Sequence, residues 1–356
     1  MLPRSGTKKA RRTLALSALI IFLGEILAGF LIDRAPLEIR YPDAARIMRM
    51  SHKNGTPPDI VFFGGSRFQS QIDADAIEQE LARTTSSRPT FVFNAGISYG
   101  EPVVFDFLVA RLLDAGVRPS IAVIEVSPET VSRRNIALEV HLTRQFTWAE
   151  ALKSATHTVY SGGFSRLLST RVIPVYLFRH EFRRWAIEGL ALQSLLCCPV
   201  DSTSPSRRAQ APAIAEMPLA EQLKAGGRVT RSRLRYFKVG GLSARALERL
   251  LERYKSLGVT TILLGVSISS PSRAEYVPEI DAEFLAYMQK LREIYGVYFV
   301  DYRDRVPDEL FRSAYYTTPQ GTLYVSRLLT DEVLAPLWQN RSTGTDAVST
   351  QIDVRR

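Results

Sequence analysis

The stretch from Asp59 to Asp73, Asp-Ile-Val-Phe-Phe-Gly-Gly-Ser-Arg-Phe-Gln-Ser-Gln-Ile-Asp, constrains the fold more than any other part of this chain. Ile60 to Phe63 is a short apolar run with β-branched and aromatic residues, which predicts a buried strand. Gly64 and Gly65 end it in a tight turn. Ser66 then stands at the strand's carboxyl end, with a helix or turn beginning behind it. In open α/β sheets ligands bind outside that edge. A serine there acts as a nucleophile, with backbone N–H groups ready for developing negative charge. Equally, it caps the segment that follows. Spacing alone leaves both readings open.

The pattern around this stretch is strand, helix, strand, helix, strand. Asp73 to Leu81 has helical spacing, and Phe91 to Asn94 reads as a second strand, followed by Ala95-Gly96. Glu101 to Ala115 is a helix stopped by Gly116. Ile121 to Val126 is a third strand, running into Ser127-Pro128-Glu129. The pattern resumes with a helix over Leu242 to Leu257, a strand over Val259 to Gly265 and the serine-rich Ser267 to Ser270. A helix over Ile280 to Tyr295, a strand over Val297 to Val300 and a closing helix over Leu323 to Trp338 complete it. This order predicts an α/β domain over residues 58–341, with a mostly parallel sheet, covering helices and right-handed crossovers.

Between the two halves lies an insertion, about residues 146–230. Thr147 to Val200 reads as helical, a subdomain or lid. Within it Arg179, Arg183 and Arg184 either bind an anion or form a solvated face, with Phe178, Phe182 and Trp185 turned inward. Asp201 to Gly227 is rich in Ser, Pro, Ala and Gly and reads as a surface loop. Residues 342–356 are polar and are expected to be a disordered tail.

Residues 1–12 form a basic tail, and Thr13 to Ile32 is almost wholly apolar. About 20 residues at ~1.5 Å each match a hydrocarbon thickness of ~30 Å. The run is long for a signal-peptide core and lacks a clean small-x-small site, so a retained anchor is expected. The basic flank predicts a single pass with a cytoplasmic N-terminus and a periplasmic main domain, as in a bacterial inner membrane. Glu25 inside the run either faces a membrane partner or is accommodated neutral. Residues 33–57 are expected to be a juxtamembrane linker or helix.

Formal net charge is +10, part of it in the basic tail. No zinc-finger spacing, RNA-binding signature or long basic helix supports nucleic-acid binding. The only cysteines, Cys197 and Cys198, are adjacent, a spacing that seldom pairs, so no disulfide framework is implied. No cluster has metal-ligand spacing and no glycine-rich phosphate loop is present, so neither metal nor cofactor is expected.

Gly64-Gly65-Ser66-Arg67, with Asn94-Ala95-Gly96 after the second strand, resembles the SGNH/GDSL hydrolase superfamily. The likeness is closest to the membrane-anchored branch that includes DltD and the accessory proteins of polysaccharide O-acetylation. The resemblance implies a flavodoxin-like three-layer fold, with Ser66 as nucleophile and the N–H of Gly96 in the oxyanion hole. Asn94 would donate to the oxyanion or support the turn. It further implies a glycan substrate and an integral membrane O-acyltransferase as partner.

The same resemblance exposes a departure. The family's closing Asp-x-x-His-Leu-Asn-x-x-Gly segment aligns here with Ser313 to Gly321. That puts Ser313 at the acid position and Tyr316 at the histidine position. A phenol ordinarily titrates near about 10 and is a poor base at neutral pH. The histidines, His52, His141, His157 and His180, all lie earlier, and Asp301 and Asp304 are nearby acids in sequence. Two expectations follow. Either Ser66 supports acyl-enzyme chemistry as a serine esterase or O-acyltransferase, or the protein is a catalytically silent glycan-binding or scaffold protein.

Overall fold

The computed structural model describes residues 5–53, 55–84, 90–133, 174 and 217–342. The chain divides into two compact units, residues 1–45 with 139–201, and residues 46–138 with 202–356.

In the first unit, α1 (Ser5–Arg34) is a continuous helix. Its segment Lys9–Arg34 is long and apolar enough to cross a membrane. Leu14, Ile20, Ile21, Leu27 and Leu31 are all more than half exposed along it. Such a girdle of bare aliphatic side chains suits hydrocarbon rather than water. A short α2 (Leu37–Arg40) follows, and α3 (Pro42–Met50) crosses into the second unit. The expected juxtamembrane segment is therefore largely helical.

The second unit is built on five parallel strands, β1 (Ile60–Phe63), β2 (Val92–Asn94), β3 (Ile121–Val126), β4 (Thr260–Gly265) and β5 (Tyr298–Asp301), in the order 2-1-3-4-5. Register is continuous: Ile60 stands beside both Val92 and Ile121, and Ile121 beside Thr260. Every residue of β1 and β3 is buried, as a parallel sheet covered on both faces requires.

Alternation along β1 divides the core. Ile60 and Phe62 pack with Ile77 and Leu81 of α5 (Ala74–Thr84) and with Val325 and Leu329 of the closing helix. Phe63 points to the other face. Its ring lies 6.4 Å from Phe105 of α6 (Pro102–Asp114) and 6.4 Å from the Tyr254 ring, on a helix after the insertion. The sequence periodicity thus translates directly into helix layers on both sides.

Two elements depart from expectation. Asp201 to Gly227 was expected to be a loop, but its described end belongs to α8 (Leu219–Leu234), numbered after the short α7 (Pro128–Val131). Leu223, Gly226, Gly227, Thr230 and Leu234 form its buried stripe. Gly226 permits close packing here: a Cβ on it would stand 1.8 Å from Ala314 Cβ. Composition made this glycine look like a loop signal, whereas it is a helix contact. The second departure is a small antiparallel hairpin, β6 (Phe311–Ser313) and β7 (Tyr316–Thr317), that no periodicity announced.

The chain between them runs through α9 (Gly241–Ser256), which holds Tyr254, then α10 (Ser270–Arg273) and α11 (Pro278–Tyr295). After the hairpin come α12 (Pro319–Leu329), a π-helical turn (Thr330–Leu334) and α13 (Ala335–Ser342). Thr318 caps α12, its hydroxyl accepting the Gly321 N–H at 3.1 Å.

Candidate functional site

Strand order turns between β1 and β3, and the crevice outside their carboxyl ends is the usual ligand position in open α/β sheets. From β1 this edge receives Gly64, Gly65 and Ser66; from β3 it receives Glu125, Ser127 and Glu129. Ser66 opens the one-and-a-half-turn helix α4 (Ser66–Gln71). Gly64 is required by crowding, because a Cβ there would stand 2.3 Å from Phe68, whose ring folds back to 5.8 Å from Phe62.

The half-buried Ser66 Oγ lies 3.0 Å from the hydroxyl of Tyr316. Tyr316 comes from β7, where it pairs with Ser313 of β6. The two positions singled out from the closing segment are therefore cross-strand neighbours, and one of them touches Ser66. The hairpin is tied to α4 a turn further on. Thr317 donates from its hydroxyl to the Ser70 carbonyl at 2.6 Å, and the Thr322 hydroxyl donates to the same oxygen.

Asn94 and Gly96 are turned toward each other. The Gly96 N–H donates to Asn94 Oδ1 at 3.0 Å, and Asn94 Nδ2 donates to the Ile72 carbonyl at 3.1 Å. Gln69 Nε2 donates to the Gly96 carbonyl. Of its two expected roles, Asn94 fills turn support. The Gly96 donor expected to face an oxyanion is engaged inside the turn.

Beneath Ser66 lies a buried polar cluster whose extent the sequence did not announce. Arg67 lies 3.0 Å from Glu125 and 3.7 Å from Glu129, and its Nη2 donates to Ser127 Oγ at 3.0 Å. Glu125 also accepts the Gly65 N–H at 2.5 Å, so it grips the turn that presents Ser66. Tyr276 donates to Glu129 at 2.7 Å. Arg67, Glu125 and Glu129 are each less than one-tenth exposed.

Burial pushes Glu129 up, yet the charge of Arg67 and the hydroxyl of Tyr276 outweigh it and hold the carboxyl below the usual range. Burial lowers Arg67, but Glu125 and then Glu129 more than reverse this, and it stays cationic. Tyr276 is driven well up, by burial first and by Glu129 second. The cluster is thus a fixed ion network with the phenol neutral. Arg67 is therefore a buried, paired cation and not a surface charge.

A second buried link runs to β4: Gln71 Nε2 donates to the Ser267 carbonyl at 2.7 Å, and Ser267 donates its N–H back to Gln71 Oε1 at 3.2 Å. Glu129 from the end of β3 and Ser267 from the end of β4 therefore converge on Arg67 and Gln71 of α4, whereas Ser269 turns aside to Ser272.

His52, the one histidine among the described residues, bonds its neighbour Ser51 at 3.2 Å rather than Ser66. His141, His157, His180, the arginines Arg179, Arg183 and Arg184, and the pair Cys197 and Cys198 lie outside the described residues. Asp301 and Asp304 bind Arg303 and Arg273 respectively. Among the described residues no group of His, Cys, Asp and Glu is arranged to hold a metal ion. The chain matches no protein-family model, and no curated protein matches it in sequence.

Proposed function

We propose that this chain is a membrane-anchored SGNH-like protein that takes part in acyl-ester modification of an envelope glycan, using the Ser66 site to bind rather than to react. The observation that carries this reading is the Ser66 to Tyr316 contact at 3.0 Å. A nucleophilic serine needs a base within hydrogen-bond reach, held in turn by a third group. Tyr316 occupies that reach, and Ser313 stands opposite it where an acid would act. The strand order 2-1-3-4-5 is that of flavodoxin-like doubly wound sheets, which supports the family reading. The apolar α1 supports a single-pass anchor, with a bacterial inner membrane and a periplasmic domain as the proposed setting. An integral membrane O-acyltransferase is the proposed partner, for which this domain holds glycan.

The rival, acyl-enzyme chemistry at Ser66, draws support from the position of Ser66 at the switch-point edge and its partial exposure. Complementation separates the two. Ser66→Ala should leave the alkali-labile acyl content of the glycan near wild type. Ser66→Trp, which fills the mouth, should lower it severely at equal protein abundance. A null Ser66→Ala strain with normal abundance would overturn the binding reading in favour of chemistry.

A further inference from the structure

We propose that the mouth of the Ser66 site selects an anionic glycan, one bearing carboxylate or phosphate groups, and that Arg233 and Arg312 are its specificity-determining residues. The proposal rests on the glycan-binding reading above and narrows its ligand.

Two consecutive tyrosines of the closing hairpin carry the geometry. Tyr316 touches Ser66, and Tyr315 lies over the buried Arg67, whose guanidinium is 5.7 Å from its ring. Tyr315 is anchored by its hydroxyl, which lies 2.7 Å from Thr230 Oγ1 and donates to the Gly226 carbonyl at 3.1 Å. Each tyrosine also carries an exposed arginine. Arg233 of α8 lies 5.6 Å from the Tyr315 ring, and Arg312 of β6 lies 5.7 Å from the Tyr316 ring.

Both of these arginines are exposed, and neither forms an ion pair with a described carboxylate. Their neighbours differ. Arg231 makes a two-pronged pair with Glu275, and Lys238 stands 3.6 Å from Glu283. Arg233 and Arg312 thus make no ion pair with a described carboxylate, while Arg231 and Lys238 do; Arg233 is still near enough to Glu129 to help hold that buried carboxyl down. Contact with a phenol ring steadies a guanidinium and leaves its N–H fork available for a carboxylate or phosphate. Lys224, Arg228 and Arg235, all exposed, extend the positive track along α8 and just past its end.

On the Arg312 side begins an open groove of about 420 Å³, with Gln69, Ser70, Thr317 and Thr322 in its lining. Its size falls in the range of small-ligand sites, roughly 300–1,000 Å³. Amide and hydroxyl groups suit sugar hydroxyls. Asp73 and Asp75 also line the groove. Asp73 is engaged in capping α5, accepting the Ala76 N–H at 3.0 Å. Asp75 makes its own part of the groove acidic, so the ligand's anionic groups belong at the Arg312 and Arg233 side.

The test is calorimetric titration of the full-length protein in detergent micelles with tetragalacturonate, mannopentaose phosphate and neutral maltotetraose. At least one anionic oligomer should bind about tenfold or more tightly than maltotetraose, and which one does so tells carboxylate from phosphate. The affinity should fall severalfold between about 50 and 200 mM salt. Arg233→Gln combined with Arg312→Gln should remove tenfold or more of it, while Lys290→Gln on α11 should remove none. Equal binding of neutral and anionic oligomers would overturn the anion selectivity and leave the glycan reading standing. No binding of any oligomer would overturn both. Undiminished binding by the double variant would overturn the assignment to these arginines.

Discussion

Arg67→Met will destabilise the α/β domain by about 3–5 kcal/mol, the cost of leaving buried carboxylates without their cation. Glu125 and Glu129 both depend on that guanidinium, at 3.0 and 3.7 Å. Methionine keeps much of the volume, so packing loss is a minor part of the effect. In the wild type Glu129 is held below its unfolded range, so its contribution is present above about pH 4.3 and is lost as pH falls through the lower folded value. In the variant the attraction is gone and burial alone acts, which raises the folded value. A raised carboxylate destabilises at neutral pH and recovers on acidification. The gap between wild type and variant should therefore narrow from pH 7 toward pH 5 in urea unfolding monitored by circular dichroism. Adding Glu129→Gln to Arg67→Met should recover part of the loss. A gap below about 1 kcal/mol, or one that widens on acidification, would contradict the ion network described here.

Ser313→Asp combined with Tyr316→His should create reactivity at Ser66 that the wild type lacks. Position 316 already lies within reach of Ser66 Oγ, and position 313 is its cross-strand neighbour. A histidine there can accept the serine proton, and an aspartate opposite it can orient the ring. General-base assistance contributes roughly 10²–10⁴-fold. The gain should stay near the lower end, because Gly96 and Asn94 bond each other instead of facing an oxyanion. Labelling by a fluorophosphonate probe should rise at least about 100-fold and disappear when Ser66→Ala is added. No gain in a folded double variant would mean that the hairpin does not hold position 316 where a base is needed.

Strands were the most legible part of the sequence. β1 and β3 fall within the runs Ile60 to Phe63 and Ile121 to Val126 without adjustment, because a parallel strand buried on both faces must be apolar throughout. Tyr316 was also legible as a residue of interest, through the family resemblance that aligns Gly321. Its contact with Ser66 was not, since it joins residues 250 positions apart. Nor was the fate of Arg67. An arginine beside a glycine turn looks like a surface charge until Glu125 and Glu129 are brought to it from the neighbouring strand end. The Glu125-Val126-Ser127-Pro128-Glu129 string carried the only available signal, two acids flanking a buried strand's exit. Gly226 was misread because the sequence shows its missing side chain but not Ala314, which fills the space.

The most direct measurement is fluorophosphonate labelling of the full-length wild-type protein in detergent, with the adduct located by intact mass and peptide mapping. A site in which Ser66 faces a phenol and not a base should take up no probe at Ser66, while the Ser313→Asp, Tyr316→His variant labels in parallel. Stoichiometric labelling of wild-type Ser66, lost in Ser66→Ala, would contradict the account and make this residue a working nucleophile.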